Sequence, residues 1–389
     1  MKRIHLYLLI LPVLSACILT ACGLTAPPTA EKQSTQDTVA STKAESSEAP
    51  SEALTDSVTE AAPSVSLPFT PHTDELPILS ISTEGAPVDS RSYVPMTLTL
   101  AGTEDPLVDI HGSIRLRGNS TYTYVKKPYR IKLDQKHSLF GLDKAKSWVL
   151  LADYLDPSTL HNYAALTLAG TSEYLEFVPT PHKVNLYLNG EFMGLYTLCE
   201  QVQEQEGRLD LEFSVTEDMT ELSDYNFLLC MNYNAPEKEG AVEGETYFYL
   251  SGCGRYFELE YPTKEDFPSE AQFYRFFAAL EDYMRETVDA FMHTRRQYLS
   301  KNVDMDSLTD LYIVDRIMGE RDHHWKSLFM YYRGAEGDAR LRFGPPWDYD
   351  FCMYTQWTSA PNEAGRNSLP LLETCLTLPS KPIHISNAV

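Results

Sequence analysis

The sequence is short of basic residues and of long apolar runs, and each shortage excludes a class of protein. Its 389 residues include 32 Lys and Arg against 55 Asp and Glu, a net charge of −23. Because such a chain repels phosphate backbones, no nucleic-acid partner is expected. The apolar run that follows Lys2 and Arg3 is too short for a comfortable membrane helix. A hydrophobic content of 43% still predicts a globular core for most of the chain.

Cysteine is also scarce and scattered. After Cys17 and Cys22 the chain has five more, none of which forms a CxxC pair: Cys199, Cys230, Cys253, Cys352 and Cys375. This spacing gives no zinc signature and no disulfide framework. One disulfide bridge remains open, and the sequence does not select its partners.

The first 22 residues have the pattern of a signal segment. They end in "LTAC", Leu19 to Cys22, after a basic start and an apolar run. This resembles the lipobox of bacterial lipoproteins, which implies cleavage before Cys22 and a lipid on its thiol. "LSAC", ending at Cys17, is a second candidate that leaves a shorter apolar stretch, and an ordinary secretory signal is the alternative. We expect a lipid anchor in the cell membrane, on the extracytoplasmic face.

Residues 23–67 lack aromatic side chains and consist mainly of Ser, Thr, Ala, Glu and Pro. Such a segment cannot offset its ordering entropy by burying apolar surface. It is predicted to be a disordered tether, followed by one globular domain over 68–389.

The globular part begins with alternating apolar and polar runs that predict strands, and it continues with helical patterns. Asn189-Gly190 between two such runs predicts a tight hairpin. Helices are expected from about Pro157 to Gly170, over 268–299 and from Asp306 to Met318. The order predicts an α+β fold, with antiparallel strands first and helices later, in two lobes around a cleft.

Near its carboxyl end the chain reads "GPPWDYDF", Gly344 to Phe351. If this run is a strand, Asp348 and Asp350 share one face, about 7 Å apart, and the aromatic residues share the other. Two carboxylates at that spacing repel each other unless a cation lies near both. The run therefore predicts a metal site, with an edge strand carrying solvated acids as the plain alternative.

Two further patterns are expected to meet this run. A helix ends shortly before "ERDHHWKS", which places Asp322 in a loop. Three carboxylates from two elements can hold Mg²⁺ and leave one as a base, as phosphoryl transfer requires. His323 and His324 are adjacent, face different ways and are poor co-ligands of a metal. A basic hairpin lies upstream and could orient an anion or merely neutralise acids: Arg115, Arg117, Lys126, Lys127, Arg130 and Lys132.

Four blocks in this order resemble the CotH kinase family, the spore-coat-protein-H-like atypical protein kinases. They are "RLRGNST…KKPYRIKLD", "KSWVLLADYLDPSTLHNYAALTLA", "VNLYLNGEFMGLYTLCEQV" and "DHHWKS…GPPWDYDF". The resemblance implies a diverged, two-lobed protein-kinase-like fold with an antiparallel β N-lobe and a helical C-lobe. It also implies ATP, Mg²⁺ or Mn²⁺, and transfer of phosphate to Ser or Thr of a protein substrate.

The resemblance also implies roles for single residues. Asp322 matches the catalytic aspartate, and Asp348 and Asp350 match the metal-binding element. Arg117, Asn119 and Ser120 match a short phosphate-facing loop, and Glu200 lies in the segment expected to link the lobes beside the adenine. Four residues are candidates for the phosphate-contacting cation, with no choice among them: Lys127, Arg130, Lys132 and Lys146.

The sequence departs from the family pattern in three places. Ser327 stands where an ordinary kinase has a second metal-binding Asn, and His161 stands where Arg is expected. "LETCLTLPSKPIHISNAV" shows no helical pattern, which predicts an incomplete C-lobe. The alternative is therefore an inactive surface lipoprotein that uses the fold for binding or assembly. A glycosyltransferase, which also uses paired aspartates, would need a βαβ half that the sequence lacks.

Overall fold

The computed structural model of the protein describes residues 76–353. The predicted signal segment with Cys22, the tether and the tail beyond Met353 lie outside this range. So does the predicted domain boundary at residue 68.

The first part of the described chain forms a closed seven-stranded barrel. Its strands follow each other around the barrel in the order β1-β2-β3-β4-β5-β7-β6, and β6 pairs with β1 in parallel to close it. Alternate apolar side chains such as Ile114, Ile131 and Leu150 fill the interior around the fully buried Trp148. The strands are β1 Ile78–Ser82, β2 Val94–Ala101, β3 Leu107–Leu116, β4 Tyr129–His137, β5 Ala145–Leu151, β6 His182–Leu188 and β7 Glu191–Glu200.

The second part contains an antiparallel five-stranded sheet in the order β12-β11-β8-β10-β9. Every residue of β8 and β11 is buried, as expected for central strands covered on both faces. The strands are β8 Asn226–Met231, β9 Tyr247–Leu250, β10 Arg255–Tyr261, β11 Leu328–Arg333 and β12 Asp338–Phe343.

Four α-helices lie in the described range: α1 His161–Ala169, α2 Glu270–Met292, α3 Arg296–Asn302 and α4 Met305–Met318. Three of them, α2 to α4, follow β10. Their apolar faces pack with the five-stranded sheet in a hydrophobic core separate from that of the barrel. None of the helices described is both long and apolar enough to cross a membrane.

The predicted helix limits needed two corrections. The helix predicted from Pro157 begins four residues later, because the Asp156 carboxylate accepts the amides of Leu160 (2.6 Å) and His161 (2.8 Å). The helix predicted over 268–299 is two helices, because the chain turns at Thr294, which has a positive φ of 54°. The third helix was confirmed, and it ends at Gly319 with a φ of 62°.

These elements confirm the α+β class. Within residues 76–353 the single parallel strand pairing joins β1 to β6, so the described part contains no doubly wound nucleotide-binding half of the kind a glycosyltransferase would need. The four described cysteines are free thiols: Cys199, Cys230, Cys253 and Cys352.

Candidate active site

A cavity of about 520 Å³ brings barrel residues together with residues in and beside the five-stranded sheet. Its size is within the range of small-molecule sites. The barrel contributes Arg117, Asn119, Ser120 and Arg130, and the later part of the chain contributes Lys326 and both aspartates of "WDYD". Residues more than 200 positions apart in the chain thus form one polar pocket.

The "WDYD" run is not a strand, so that prediction was wrong. The ladder of β12 stops at Phe343, and Pro345 and Pro346, which have no N–H, follow at once. Asp348 has a positive φ of 66°, and a short 3₁₀ turn follows over Tyr349–Phe351. Both aspartates nevertheless line the cavity. The left-handed turn at Asp348, instead of strand alternation, points them there.

Asp322 is held in a tight loop after α4. The Glu320 carboxylate accepts its amide N–H at 2.6 Å, and its own carbonyl accepts the amides of Trp325 and Lys326, both at 2.9 Å. The chain therefore folds back on itself within four residues. This fold places the Lys326 side chain beside the carboxylate of Asp322.

Lys326 joins the predicted catalytic aspartate to the predicted metal-binding one. Its ammonium lies 2.9 Å from Oδ2 of Asp322 and 3.5 Å from Oδ2 of Asp348. Burial raises the pKa of Asp348, but Lys326, the Ser327 hydroxyl at 2.7 Å and Arg117 together bring it below its usual value. Sequence reasoning missed Lys326, because the spacing of four residues from Asp322 predicts a contact only on a helix and this segment is a loop.

Asp350 is in a different electrostatic environment. Burial, followed by the charges of Asp348 and Asp153, raises its pKa to about 7. The Asn162 amide donates to Asp350 and, at 2.9 Å, to Asp153, and its carbonyl accepts the amide of Tyr349 at 2.9 Å. Asn162 therefore fixes the direction of the Asp350 carboxylate. No sequence pattern had marked Asn162 as a site residue.

Asp153 belongs to a buried polar group that was also missed. Its Oδ2 accepts from Lys183 at 3.0 Å and from the Thr197 hydroxyl at 2.6 Å. The three residues come from the barrel strands β6 and β7 and from the loop after β5. The group anchors, through Asn162, the turn that carries Asp350.

The basic hairpin gives the cavity its positive wall. Arg115 on β3 lies directly opposite Arg130 on β4, and the Nε atom of each is buried without a hydrogen-bond partner. Like charges opposite each other in a sheet are destabilising, so an anion bound here would reduce the repulsion between the two arginines. The Arg117 guanidinium lies 5.3 Å from the ring centroid of Trp347. Burial lowers the pKa of Arg117, although the nearby charge of Asp348 acts in the opposite direction.

The loop after β3 can approach an anion closely. Gly118 has a positive φ of 93°, and a Cβ there would lie 2.0 Å from the Thr121 hydroxyl oxygen. A side chain is therefore excluded at this position. Asn119 and Ser120 follow it, are exposed and line the cavity.

Five of the predicted site residues in the described range do not line the cavity: Asp322, Lys127, Lys132, Lys146 and Glu200. Asp322 lies beside it, with its carboxylate 2.9 Å from the ammonium of the cavity residue Lys326. Lys127 donates to the carbonyl of Tyr122 at 2.9 Å, and the side chains of Lys132 and Lys146 are exposed. Glu200 is buried and accepts the amide of Thr180 at 2.7 Å, and burial raises its pKa. The next residue, Gln201, lines the cavity instead.

Asp348 and Asp350 fit a divalent cation. Their carboxylates supply the hard oxygen ligands that Mg²⁺ and Mn²⁺ prefer. Because the charge of Asp348 contributes to the raised pKa of Asp350, a cation near both would remove a repulsion that the protein itself leaves in place. The donor set and its electrostatics therefore agree with the predicted metal site.

A family model described as "CotH kinase protein" matches residues 114–379. The match begins within β3 and includes every cavity residue discussed above. A search of curated proteins found no match. Because the family model covers more than half of the chain, the resemblance seen in the four sequence blocks is confirmed, and the protein belongs to the CotH kinase family.

Proposed function

We propose that the protein transfers the terminal phosphate of ATP to Ser or Thr hydroxyls of a protein substrate, with Mg²⁺ or Mn²⁺. The carrying observation is the position of Lys326, a residue of the arginine-lined cavity whose ammonium contacts both Asp322 and Asp348. Phosphoryl transfer needs an acceptor-orienting carboxylate close to a metal-binding one, with cations around the phosphates. The cavity supplies the metal-binding carboxylates and the cations, and Asp322 lies beside it in contact with Lys326.

In this proposal Asp322 orients the acceptor hydroxyl and takes its proton. The hydroxyl oxygen attacks the terminal phosphorus as the bond to ADP breaks. Lys326, in contact with Asp322, would stabilise the charge that develops on the transferred group.

Asp348 and Asp350 would hold the divalent cation, and Asn162 would orient Asp350 towards it. When bound, the metal neutralises phosphate charge and holds the phosphates in place. Arg117 and Arg130 would bind the phosphates from the barrel wall, and Asn119 and Ser120 would contact them from the loop. Gln201 lines the cavity beside Glu200 and is our candidate for contact with the adenine edge.

The kinase-like architecture also belongs to the proposal. We equate the barrel with the N-lobe, and the sheet with its helices with the C-lobe, because the cavity draws residues from both. Cleavage before Cys22 and lipidation of its thiol would anchor the domain to the extracytoplasmic face of the cell membrane.

The test is phosphate transfer from labelled ATP to the protein itself and to a generic acceptor. Residues 68–389 would be assayed with Mg²⁺ and with Mn²⁺. Asp322→Asn should lower transfer by a factor of about 10³ or more, since it removes a general base and a charge while keeping the shape. The matched control is Asp282→Asn, which changes an acid on α2 whose side chain is 73% exposed, and it should transfer phosphate like wild type. Equal transfer by the Asp322→Asn variant would refute the assignment.

One observation favours a second candidate, a binding module without transfer activity. Ser327 occupies the place of the second metal-binding Asn, and its hydroxyl donates to Asp348 at 2.7 Å. A serine hydroxyl is a weaker metal ligand than an amide oxygen, and this one is already hydrogen-bonded to Asp348. Absence of transfer from a folded protein that still binds a surface partner, with binding unchanged in Asp322→Asn, would favour the module.

A further inference from the structure

Behind the cavity lies a buried group of two acids and a histidine. The ligand atoms of Asp315, Glu320 and His323 lie within 4.8 Å of one another, and each residue is at most 3% exposed. Such a cluster has the composition of a metal site. The partners of the imidazole argue against a metal here.

Both ring nitrogens of His323 face acceptors. Nε2 lies 2.6 Å from the carbonyl oxygen of Trp347, which can only accept, and Nδ1 lies 3.0 Å from Oδ2 of Asp315. Both nitrogens therefore carry a hydrogen, and neither has a lone pair for a metal. The group is a buried imidazolium between a carboxylate and a backbone carbonyl.

This group connects the two segments that carry the proposed catalytic and metal-binding residues. On one side, Glu320 accepts the amides of Asp322 (2.6 Å) and His323 (2.8 Å). On the other side, His323 binds the carbonyl of Trp347, and the Tyr349 hydroxyl donates to Asp315 at 2.9 Å. Trp347 and Tyr349 directly flank Asp348, and Asp315 belongs to helix α4.

We infer that His323 and Asp315 are positioning residues that hold the Asp322 loop and the Asp348 turn in one fixed geometry. Both are buried, with exposures of 1% and 2%, and neither lines the cavity, so their side chains are not accessible to a ligand there. Charge-assisted hydrogen bonds at both ends of a buried ring fix its position more firmly than neutral ones would. The consequence for turnover rests on the proposed function, but the mechanical link does not.

The link is tested by amide hydrogen exchange on the full chain, comparing His323→Gln with wild type. The matched control is His324→Gln, since the His324 ring instead packs on Trp325 with centroids 4.0 Å apart. Exchange should become at least about tenfold faster in 320–326 and 346–352 together, with the barrel strands unchanged. Unchanged exchange in both segments, a change in only one of them, or a uniform increase over the whole domain would overturn the inference.

If His323→Gln does not fold, Tyr349→Phe takes its place. It removes only the hydroxyl that donates to Asp315. The expected result is faster exchange confined to the same two segments. Unchanged exchange in this variant would count against the link.

A kinetic cycle tests the catalytic consequence. His323→Gln should lower kcat about 100-fold with little change in the KM for ATP. It would displace Asp322 but leave the proposed phosphate-binding residues Arg117 and Arg130 in place. In the Asp322→Asn background the same substitution should have almost no further effect, since the residue that it positions is already disabled. Equal losses in both backgrounds would mean a general structural role. If Asp322→Asn itself transfers phosphate normally, the proposed function fails and the exchange experiment alone decides the link.

Discussion

Replacing Lys326 by Met should destabilise the protein in a way that a divalent cation corrects. The ammonium contacts Asp322 at 2.9 Å and Asp348 at 3.5 Å, and the side chains of Lys326, Asp322 and Asp348 are 17%, 14% and 26% exposed. Methionine keeps most of the side-chain volume and removes the charge. Two carboxylates are then left facing each other.

The size of the effect follows from this partial burial. Exposed ion pairs contribute up to about 1 kcal/mol, and removing one partner of a fully buried pair costs about 3–5 kcal/mol. For two contacts between these limits we expect a loss of about 2 kcal/mol. A domain of this size should then unfold about 4–8 °C lower than wild type.

The assay is thermal unfolding in EDTA and in MgCl₂ at matched ionic strength. A cation bound by Asp348 and Asp350 supplies the positive charge that the substitution removed, so Mg²⁺ should recover about half of the loss in Lys326→Met. The control is Lys264→Met, which removes contacts to Glu245 (3.2 Å) and Glu270 (3.0 Å) away from the cavity and should not respond to Mg²⁺ beyond wild type. An equal rise in unfolding temperature on adding Mg²⁺ in wild type, Lys326→Met and Lys264→Met would refute the reasoning.

Three further predictions concern other parts of the site. Asn162→Asp adds a carboxylate beside Asp153 and Asp350 and should lower the free energy of unfolding in urea by about 2–3 kcal/mol; an unchanged midpoint contradicts this. Burial lowers the pKa of His323, but Asp315 and Glu320 outweigh it and raise the pKa from 6.5 to about 10. The stabilisation that a raised pKa gives is fully present below pH 6.5 and is lost as the pH rises towards 10. The stability advantage of wild type over His323→Gln should therefore shrink across that window, and a constant difference in the free energy of unfolding, measured by denaturant titration, contradicts this. Arg117→Lys keeps the charge but loses the planar contact with Trp347, so the Kd for ATP measured by calorimetry should rise about 5–10-fold. An unchanged Kd contradicts the role of Arg117 in phosphate binding.

Local patterns predicted the elements well where the sequence carries the cause. Asn189 and Gly190, with φ values of 52° and 84°, form the expected hairpin turn because both tolerate the left-handed region. Gly319 ends α4 for the same reason. The pattern failed at "GPPWDYDF", where alternation suggested a strand but two prolines and a left-handed aspartate set the backbone.

The site was predictable in its acids and less so in the groups that orient them. Carboxylates one residue apart are visible in any sequence, and their mutual repulsion suggests a cation. The contact between Asn162 and Asp350 spans 188 positions, and nothing local marks Asn162 as different from any other helical amide. Lys183 reads as a polar strand residue until the barrel closes it onto Asp153. Such residues are defined by tertiary packing, which a single sequence does not display.

The charges of the cavity are unequally compensated, and this inequality has a consequence for how the site would act. Lys326 lies against Asp322 and Asp348, and the pKa of Asp348 is lowered. Burial and the charges of Asp348 and Asp153 raise the pKa of Asp350 to about 7, because they outweigh the Asn162 hydrogen bond and the charge of Lys326. A divalent cation would therefore gain more from Asp350 than from Asp348, because the repulsion at Asp350 exceeds its compensation, whereas Asp348 is compensated by Lys326, Ser327 and Arg117. Lys326 is then free to turn from Asp348 towards a phosphate oxygen while it keeps its contact with Asp322. On this reasoning Asp350→Asn should weaken metal binding more than Asp348→Asn does, which titration with Mn²⁺ would measure directly, and the reverse order would show that the lowered pKa of Asp348 marks the stronger ligand.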